Sequence, residues 1–149
     1  MEGNYLDLGI VVYQTGDGSG TYVDGGGRTQ DAGTMSTSAF VDGVAFQAGR
    51  GDALVSALHI ARSGVTTVDV QLLQKRNDRN NPSLFGWAPV QTTRSDTGVA
   101  AYAQSFATTD SSDVTLTCSP AGGGSFKWQV KVTGSPAAGD LVAIGAATA

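Results

Sequence analysis

The hydrophobic pattern changes character near residue 52. From Val65 to Gln74 apolar and polar positions alternate: Val68, Val70 and Leu72 fall on one side, Thr67, Asp69 and Gln71 on the other. Successive side chains of a strand point to opposite faces, so a period of two marks a strand with one dry face and one wet face. Phe126, Trp128, Val130 and Val132 alternate with Lys127, Gln129 and Lys131 in the same way. So do Val114, Leu116 and Cys118 with Asp113, Thr115 and Thr117. Leu141–Ile144 is apolar on both faces, the pattern of a strand at the centre of a sheet. Ala53–Ala61, with Leu54, Leu58 and Ile60, reads as a strand or as a short helix between Asp52 and Gly64, and the strand-rich context decides for the strand. Leu84–Thr92 carries Phe85, Trp87 and Val90, and Pro89 confines it to an edge or a bend. Val99–Thr108 supplies Val99, Tyr102 and Phe106. With turns at Lys75–Ser83, Gly122–Gly124 and Gly134–Pro136, this makes about six or seven short strands, the signature of an all-β sandwich of jelly-roll or Ig-like type.

Residues 1–50 follow a different pattern. Leu8–Tyr13 is a short apolar run that ends at the turn cluster Thr15–Gly20, and Thr21–Val23 is a second run that ends at Asp24–Gly27. The pair reads as a hairpin or as two extended segments around a turn. From Gly25 to Gly51 the residues are mostly Gly, Ser, Thr, Ala and Asp, with anchors at Met35, Phe40, Val41, Val44 and Phe46. Such a stretch buries too little apolar surface to offset its own ordering entropy. The expected organisation is a Gly-rich N-terminal arm or hairpin, residues 1–52, that orders against a neighbour, and an independently folding β-sandwich domain, residues 53–149.

Composition narrows the function. The 149 residues include 21 glycines, only 15% are charged, and Glu2 is the single glutamate. A chain poor in Glu and Lys and rich in Thr, Val and Gly is a poor helix former. The net charge of −4 argues against a nucleic-acid-binding module, which needs a basic surface to neutralise phosphates. The lone Cys118 can form no intramolecular disulfide and reads as a small buried hydrophobe. No secretory leader pattern and no apolar run of membrane-spanning length is present, so a chain made in a cytoplasm and soluble until assembly is expected.

Candidate chemistry is sparse. His59 is the only histidine, flanked by Leu58 and Ile60, and no nucleophile-elbow motif accompanies it, so it reads as a structural residue. Asp17, Asp24, Asp31, Asp42, Asp96, Asp110 and Asp113 lie in turn-like contexts, where a carboxylate caps its own backbone. Asp17, Ser19 and Asp24 offer hard oxygen ligands for calcium, but their spacing departs from the EF-hand, and a hairpin turn accounts for them. The Arg50-Gly51-Asp52 tripeptide is read as a chance match. Lys75-Arg76-Asn77-Asp78-Arg79 is the basic cluster, a solvated loop or a contact patch for an acidic partner surface. Trp128 shares the apolar face of its strand and is expected in the core, whereas Trp87 is equally compatible with core and surface. No catalytic, cofactor-binding or metal-binding residues are assigned, and an enzyme is not expected.

The stretches Val65–Leu72, the polar loop to Gly86-Trp87, and Phe126–Val132 resemble the layout of small β-sandwich accessory proteins of tailed bacteriophage virions, the decoration or cement proteins. The resemblance covers residues 53–149 and carries no contact residue across. It implies a virion protein, made in the host bacterial cytoplasm, that binds the major capsid protein and stabilises the phage head, often as a trimeric homo-oligomer. It implies no cofactor, nucleic acid or membrane. Two other functions fit the same residues: a tail, baseplate or fibre-associated structural protein, and a carbohydrate-binding module with Trp87 and Tyr102 as a stacking platform.

Overall fold

The computed structural model describes residues 6–15, 21–23, 29–31, 33–49, 53–61, 64–76, 86–107, 113–118, 124–137 and 140–148. In chain order the strands are β1 (Leu6–Thr15), β2 (Thr21–Val23), β3 (Thr29–Asp31), β4 (Gly33–Thr34), β5 (Val41–Asp42), β6 (Phe46–Ala48), β7 (Leu54–Ala61) and β8 (Val65–Arg76). They continue as β9 (Gly86–Val90), β10 (Thr92–Arg94), β11 (Ala100–Ala101), β12 (Ala103–Ala107), β13 (Asp113–Cys118), β14 (Gly124–Gly134) and β15 (Leu141–Thr148).

The protein is an all-β sandwich of two sheets. The first has seven strands in the order β11-β10-β13-β7-β15-β1-β4. The second has six: β8 and β14 form its centre, β12 and β9 pair with successive parts of β8, and β5 and β6 pair with successive parts of β14. A small β2–β3 ladder lies outside both. The sequence periodicity explains the packing. The inner face of β14 buries Phe126, Trp128, Val130 and Val132, that of β8 buries Val68, Val70 and Leu72, and β7, β13 and β15 answer from the facing sheet with Leu58, Leu116 and Ile144. Each such side chain contributes roughly 1.5–3 kcal/mol of burial. β15 is a central strand with Leu141–Ile144 buried on both faces, in line with its apolar run.

The first fifty residues depart from expectation. β1 and β2 do not pair with each other: β1 runs antiparallel to β15 from Leu6 to Thr15, and β2 pairs with β3. Nor do the described residues separate into an arm, 1–52, and a sandwich, 53–149. β1 is a member of the first sheet, β5 and β6 belong to the second, and Met35, Phe46 and Ala48 sit in the core. Of the anchors that looked too few to fold alone, Met35 and Phe46 are used by the core of the sandwich itself, whereas Val44 is exposed.

A second difference concerns one edge. The expected single strand Val99–Thr108 is broken at Tyr102 into β11, which pairs with β10 in the first sheet, and β12, which pairs with β8 in the second. Likewise β9 pairs with β8 and β10 with β13, so the chain also changes sheet at Gln91. One continuous segment, 100–107, is therefore the terminal strand of both sheets. The buried Gln104 amide fixes the crossing by donating to the Thr92 carbonyl at 2.8 Å and the Val99 carbonyl at 3.0 Å. Pro89 lies in β9 at the edge of the second sheet, where a missing N–H costs nothing to a neighbour.

The β7–β8 and β14–β15 connections lock together. The Gly64 N–H donates to the Asp140 carboxylate at 3.2 Å, the Ala137 N–H donates to it at 2.8 Å, and the Ser135 N–H donates to the Gly64 carbonyl at 2.9 Å. A Cβ on Gly64 would overlap the Ser135 carbonyl oxygen. Gly134 adopts φ +113°, a conformation that L side chains rarely take.

Candidate functional site

The outer face of the second sheet is the most organised polar surface among the described residues. Alternation places Thr67, Asp69, Gln71, Leu73 and Lys75 of β8 outward, beside Ser125, Lys127, Gln129, Lys131 and Thr133 of β14. Register sets Gln71 opposite Gln129 and Gln129 opposite Asp42. Side-chain hydrogen bonds then run across three strands. Gln71 Nε2 donates to Gln129 Oε1 at 2.7 Å, and Gln129 Nε2 donates to Asp42 Oδ1 at 2.6 Å. Lys127 Nζ donates to Asp42 Oδ2 at 2.9 Å. At the flanks the Ser105 hydroxyl bonds Asp69, and Gln47 Nε2 donates to the Ser125 hydroxyl at 2.5 Å.

The same lysines bind the aromatic margin. Lys127 Nζ stands 4.6 Å from the centroid of Trp87, and Lys131 Nζ 5.6 Å from that of Phe40. Such cation–π contacts contribute about 0.5–1 kcal/mol at exposed sites. Trp87 is half-buried, which resolves its ambiguity: it is neither a core residue nor a bare platform. Leu73, flanked in register by Pro89 and Lys127, is buried although it lies on the outer face. The hydrogen bond from Gln129 and then the bond and charge of Lys127 hold the Asp42 carboxyl below its ordinary pKa of 3.8.

At the switching edge Arg94 is buried. Its Nε and Nη2 bond both oxygens of Asp96 at 2.9 and 2.8 Å, its Nη1 donates to the Ser105 carbonyl at 2.6 Å, and its guanidinium lies 4.2 Å over Phe106. The Arg94 bond also holds the Asp96 carboxyl below its ordinary value. Arg94 thus ties β10 of one sheet to β12 of the other. Neither this group nor the Asp42 ladder was visible in the sequence. The partners in the Asp42 ladder lie 58 to 87 positions apart along the chain, and for both groups residue type alone does not show which strands become neighbours.

The residues singled out from the sequence do not converge. In register His59 stands between Asp113 and Ala143 at the middle of β7, and its side chain lies outside the described residues. Asp17, Ser19, Asp24, Asp110 and the Arg50–Asp52 tripeptide also lie outside them. Of the basic cluster, Lys75 is exposed and pairs with Trp87, and residues 77–79 lie outside the described part. Cys118 is buried, and burial pushes its thiol pKa up. Among the described residues no group of three or more His, Cys, Asp or Glu is placed to hold a metal ion. Tyr102 is exposed, and its neighbour Ala103 is opposite Gln71, four residues along β8 from the partner of Trp87.

No family model and no curated protein matches the chain. Among solved structures it is similar to the SPBc2 prophage-derived protein YomS. The two share 16% identity, with a TM-score of 0.48 over 74% of this chain and 82% of that one.

Proposed function

We propose that the chain is a non-catalytic structural protein of a tailed-phage virion that decorates the head and docks on the major capsid protein through the outer face of the second sheet. The observation that carries this reading is the cross-strand network of Asp42, Gln71, Lys127 and Gln129 with its Trp87 and Phe40 margin. These side chains are already held in place, so docking a broad partner surface on them costs little further side-chain entropy. The exposed Lys75 beside Trp87 adds positive charge for an acidic partner surface. The sequence resemblance to decoration proteins supports the same reading.

The test is the location of the chain in purified virions of the phage that encodes it. Immunogold label over the head, with saturable rebinding of the purified chain to stripped heads, is the expected result. A Lys75→Glu variant should rebind more weakly with its melting temperature unchanged, and His59→Ala should rebind as wild type. Label confined to the tail or baseplate would transfer the reading to a tail-associated protein. Absence from virions would overturn it. If Trp87→Ala abolished binding to a glycan while the fold stayed intact, the carbohydrate-binding alternative would take its place.

A further inference from the structure

We infer that the Asp42–Gly43 bond is a latent site of covalent modification, the isomerisation of aspartate to isoaspartate, and that the side-chain ladder of the outer face holds it unreacted; this does not depend on the virion reading. The chain has three Asp-Gly pairs, at residues 17–18, 24–25 and 42–43, and the first two lie outside the described residues. Asp-Gly favours this chemistry because glycine has no side chain to hinder ring closure at its nitrogen. The Gly43 nitrogen attacks Asp42 Cγ. A C–N bond forms, a carboxyl C–O bond breaks, and the hydroxyl of the neutral acid leaves with the amide hydrogen as water. Water then opens the five-membered imide at either carbonyl. One opening restores aspartate. The other routes the main chain through the former side-chain carboxyl and adds one methylene to the backbone.

The surroundings of Asp42 offer little protection by burial. β5 is a two-residue strand at the end of the second sheet, and the Asp42 side chain is 51% exposed, so water to open the imide is at hand. Three hydrogen bonds oppose ring closure instead. The Gly43 N–H donates to the Trp128 carbonyl at 2.7 Å. Gln129 Nε2 donates to Asp42 Oδ1 at 2.6 Å, and Lys127 Nζ donates to Oδ2 at 2.9 Å. Ladder bonds lie in the plane of a sheet and side chains stand roughly perpendicular to it, so the nitrogen and the carboxyl carbon that must meet are drawn in different directions. The same donors, Gln129 first and then Lys127, keep the carboxyl ionised below its ordinary pKa of 3.8, and an ionised carboxylate has no hydroxyl to lose. Gln71 steadies Gln129 in turn by donating to its Oε1 at 2.7 Å. An isoaspartate at 42 would lengthen β5 within its own pairing, undo the opposition of Asp42 and Gln129, and release Lys127 from its counter-ion. The ladder thus preserves the strand that anchors it.

The test ages the full chain at neutral pH and counts isoaspartate at residue 42 by peptide mapping. In the folded protein it should form at least about tenfold more slowly than in concentrated urea, because the reactive geometry is reached only by local opening. Lys127→Met and Gln129→Leu each remove one donor from the carboxylate. Each should speed the reaction in the folded chain by at least about threefold, the weight of one hydrogen bond to a charged group discounted for exposure. Lys127→Arg, which keeps a donor, should restore the slow rate. Amide exchange at Gly43 is read alongside: continued protection shows that β5 is still paired and that release of the carboxyl is what changed. Should one variant not fold, the other carries the comparison, and should neither fold, the ratio of folded to urea rates in the unaltered chain decides. Isomerisation at Asp42 as fast in the folded chain as in urea would overturn the inference. So would a folded variant with Gly43 still protected and no acceleration, by showing that the backbone pairing alone is enough.

Discussion

Trp128 Nε1 donates to the Ser56 hydroxyl at 3.0 Å, a buried hydrogen bond that joins β14 of one sheet to β7 of the other. Both residues are essentially without solvent exposure. The bond lets an indole, the largest buried side chain among the described residues, fill the interior without leaving its N–H unpaired. Trp128→Ala should lower stability by about 3–5 kcal/mol through lost contacts and the cavity left behind. Trp128→Phe removes the donor and should cost about 1–3 kcal/mol. Adding Ser56→Ala to Trp128→Phe should make matters little worse, because the hydroxyl has already lost its partner. Urea denaturation of the three variants measures this, and an unchanged midpoint for Trp128→Ala would refute the core assignment.

Arg94 tests the closure of the switching edge. Its guanidinium serves Asp96, the Ser105 carbonyl and Phe106 at once. Lysine cannot reproduce that planar fork, so Arg94→Lys should be nearly as harmful as Arg94→Ala, each costing about 1.5–3 kcal/mol. Asp96→Asn, at the more exposed end of the pair, should cost less. Equal losses for Asp96→Asn and Arg94→Ala would mean that the ion pair, and not the tie between sheets, is what matters.

Glycines should separate by environment. Gly64→Ala forces a methyl into the Ser135 carbonyl and should cost at least about 1–3 kcal/mol. Gly98 has φ +72° but open space around it, so Gly98→Ala should cost only about 1–2 kcal/mol of backbone strain. Thermal melts of the two variants rank them directly, and the reverse order would contradict the packing at the Gly64–Ser135 lock.

Acid should weaken the fold in a defined direction. Hydrogen bonds from Gln129 and Lys127 lower the Asp42 pKa, and that from Arg94 lowers the Asp96 pKa, each from an ordinary 3.8. A carboxylate whose folded pKa lies below its unfolded one stabilises the fold above the unfolded pKa. The contribution is lost as pH falls through the folded value. Stability should therefore decline below about pH 4, modestly, because both carboxylates are largely solvated. The Asp42→Asn/Asp96→Asn double variant should start lower and decline less over the same window, as read from urea midpoints. A decline as steep as wild type would place the acid sensitivity elsewhere.

Legibility in the sequence followed regularity. β8 and β14 could be read from their alternation because their registers run nearly unbroken through the centre of the second sheet. β1 could not. Its bulges at Leu8 and Val11 interrupt the two-residue period, so a sheet strand presented itself as a short apolar run. Segment 100–107 was read as one strand because the change of sheet at Tyr102 leaves no compositional mark among small residues. The polar network was hidden for another reason: Gln129 bonds Asp42 from 87 residues away and Gln71 from 58, and only pairing order brings them together.

The segment that ends both sheets has a mechanical consequence. In a sandwich whose layers terminate in separate strands, a pull on one border can peel that layer while the other stays seated. Here a load applied near Ala107 travels through Tyr102 into β11, so it is shared between the layers, and the Gln104 and Arg94 bonds act as rivets at the bend. That border should resist tearing better than the β4 side, where the first sheet ends in a two-residue strand. In a single-molecule pulling experiment, force entering through the 100–107 border should rupture the domain in one high-force event, and force entering through β1 and β4 should strip strands in smaller steps.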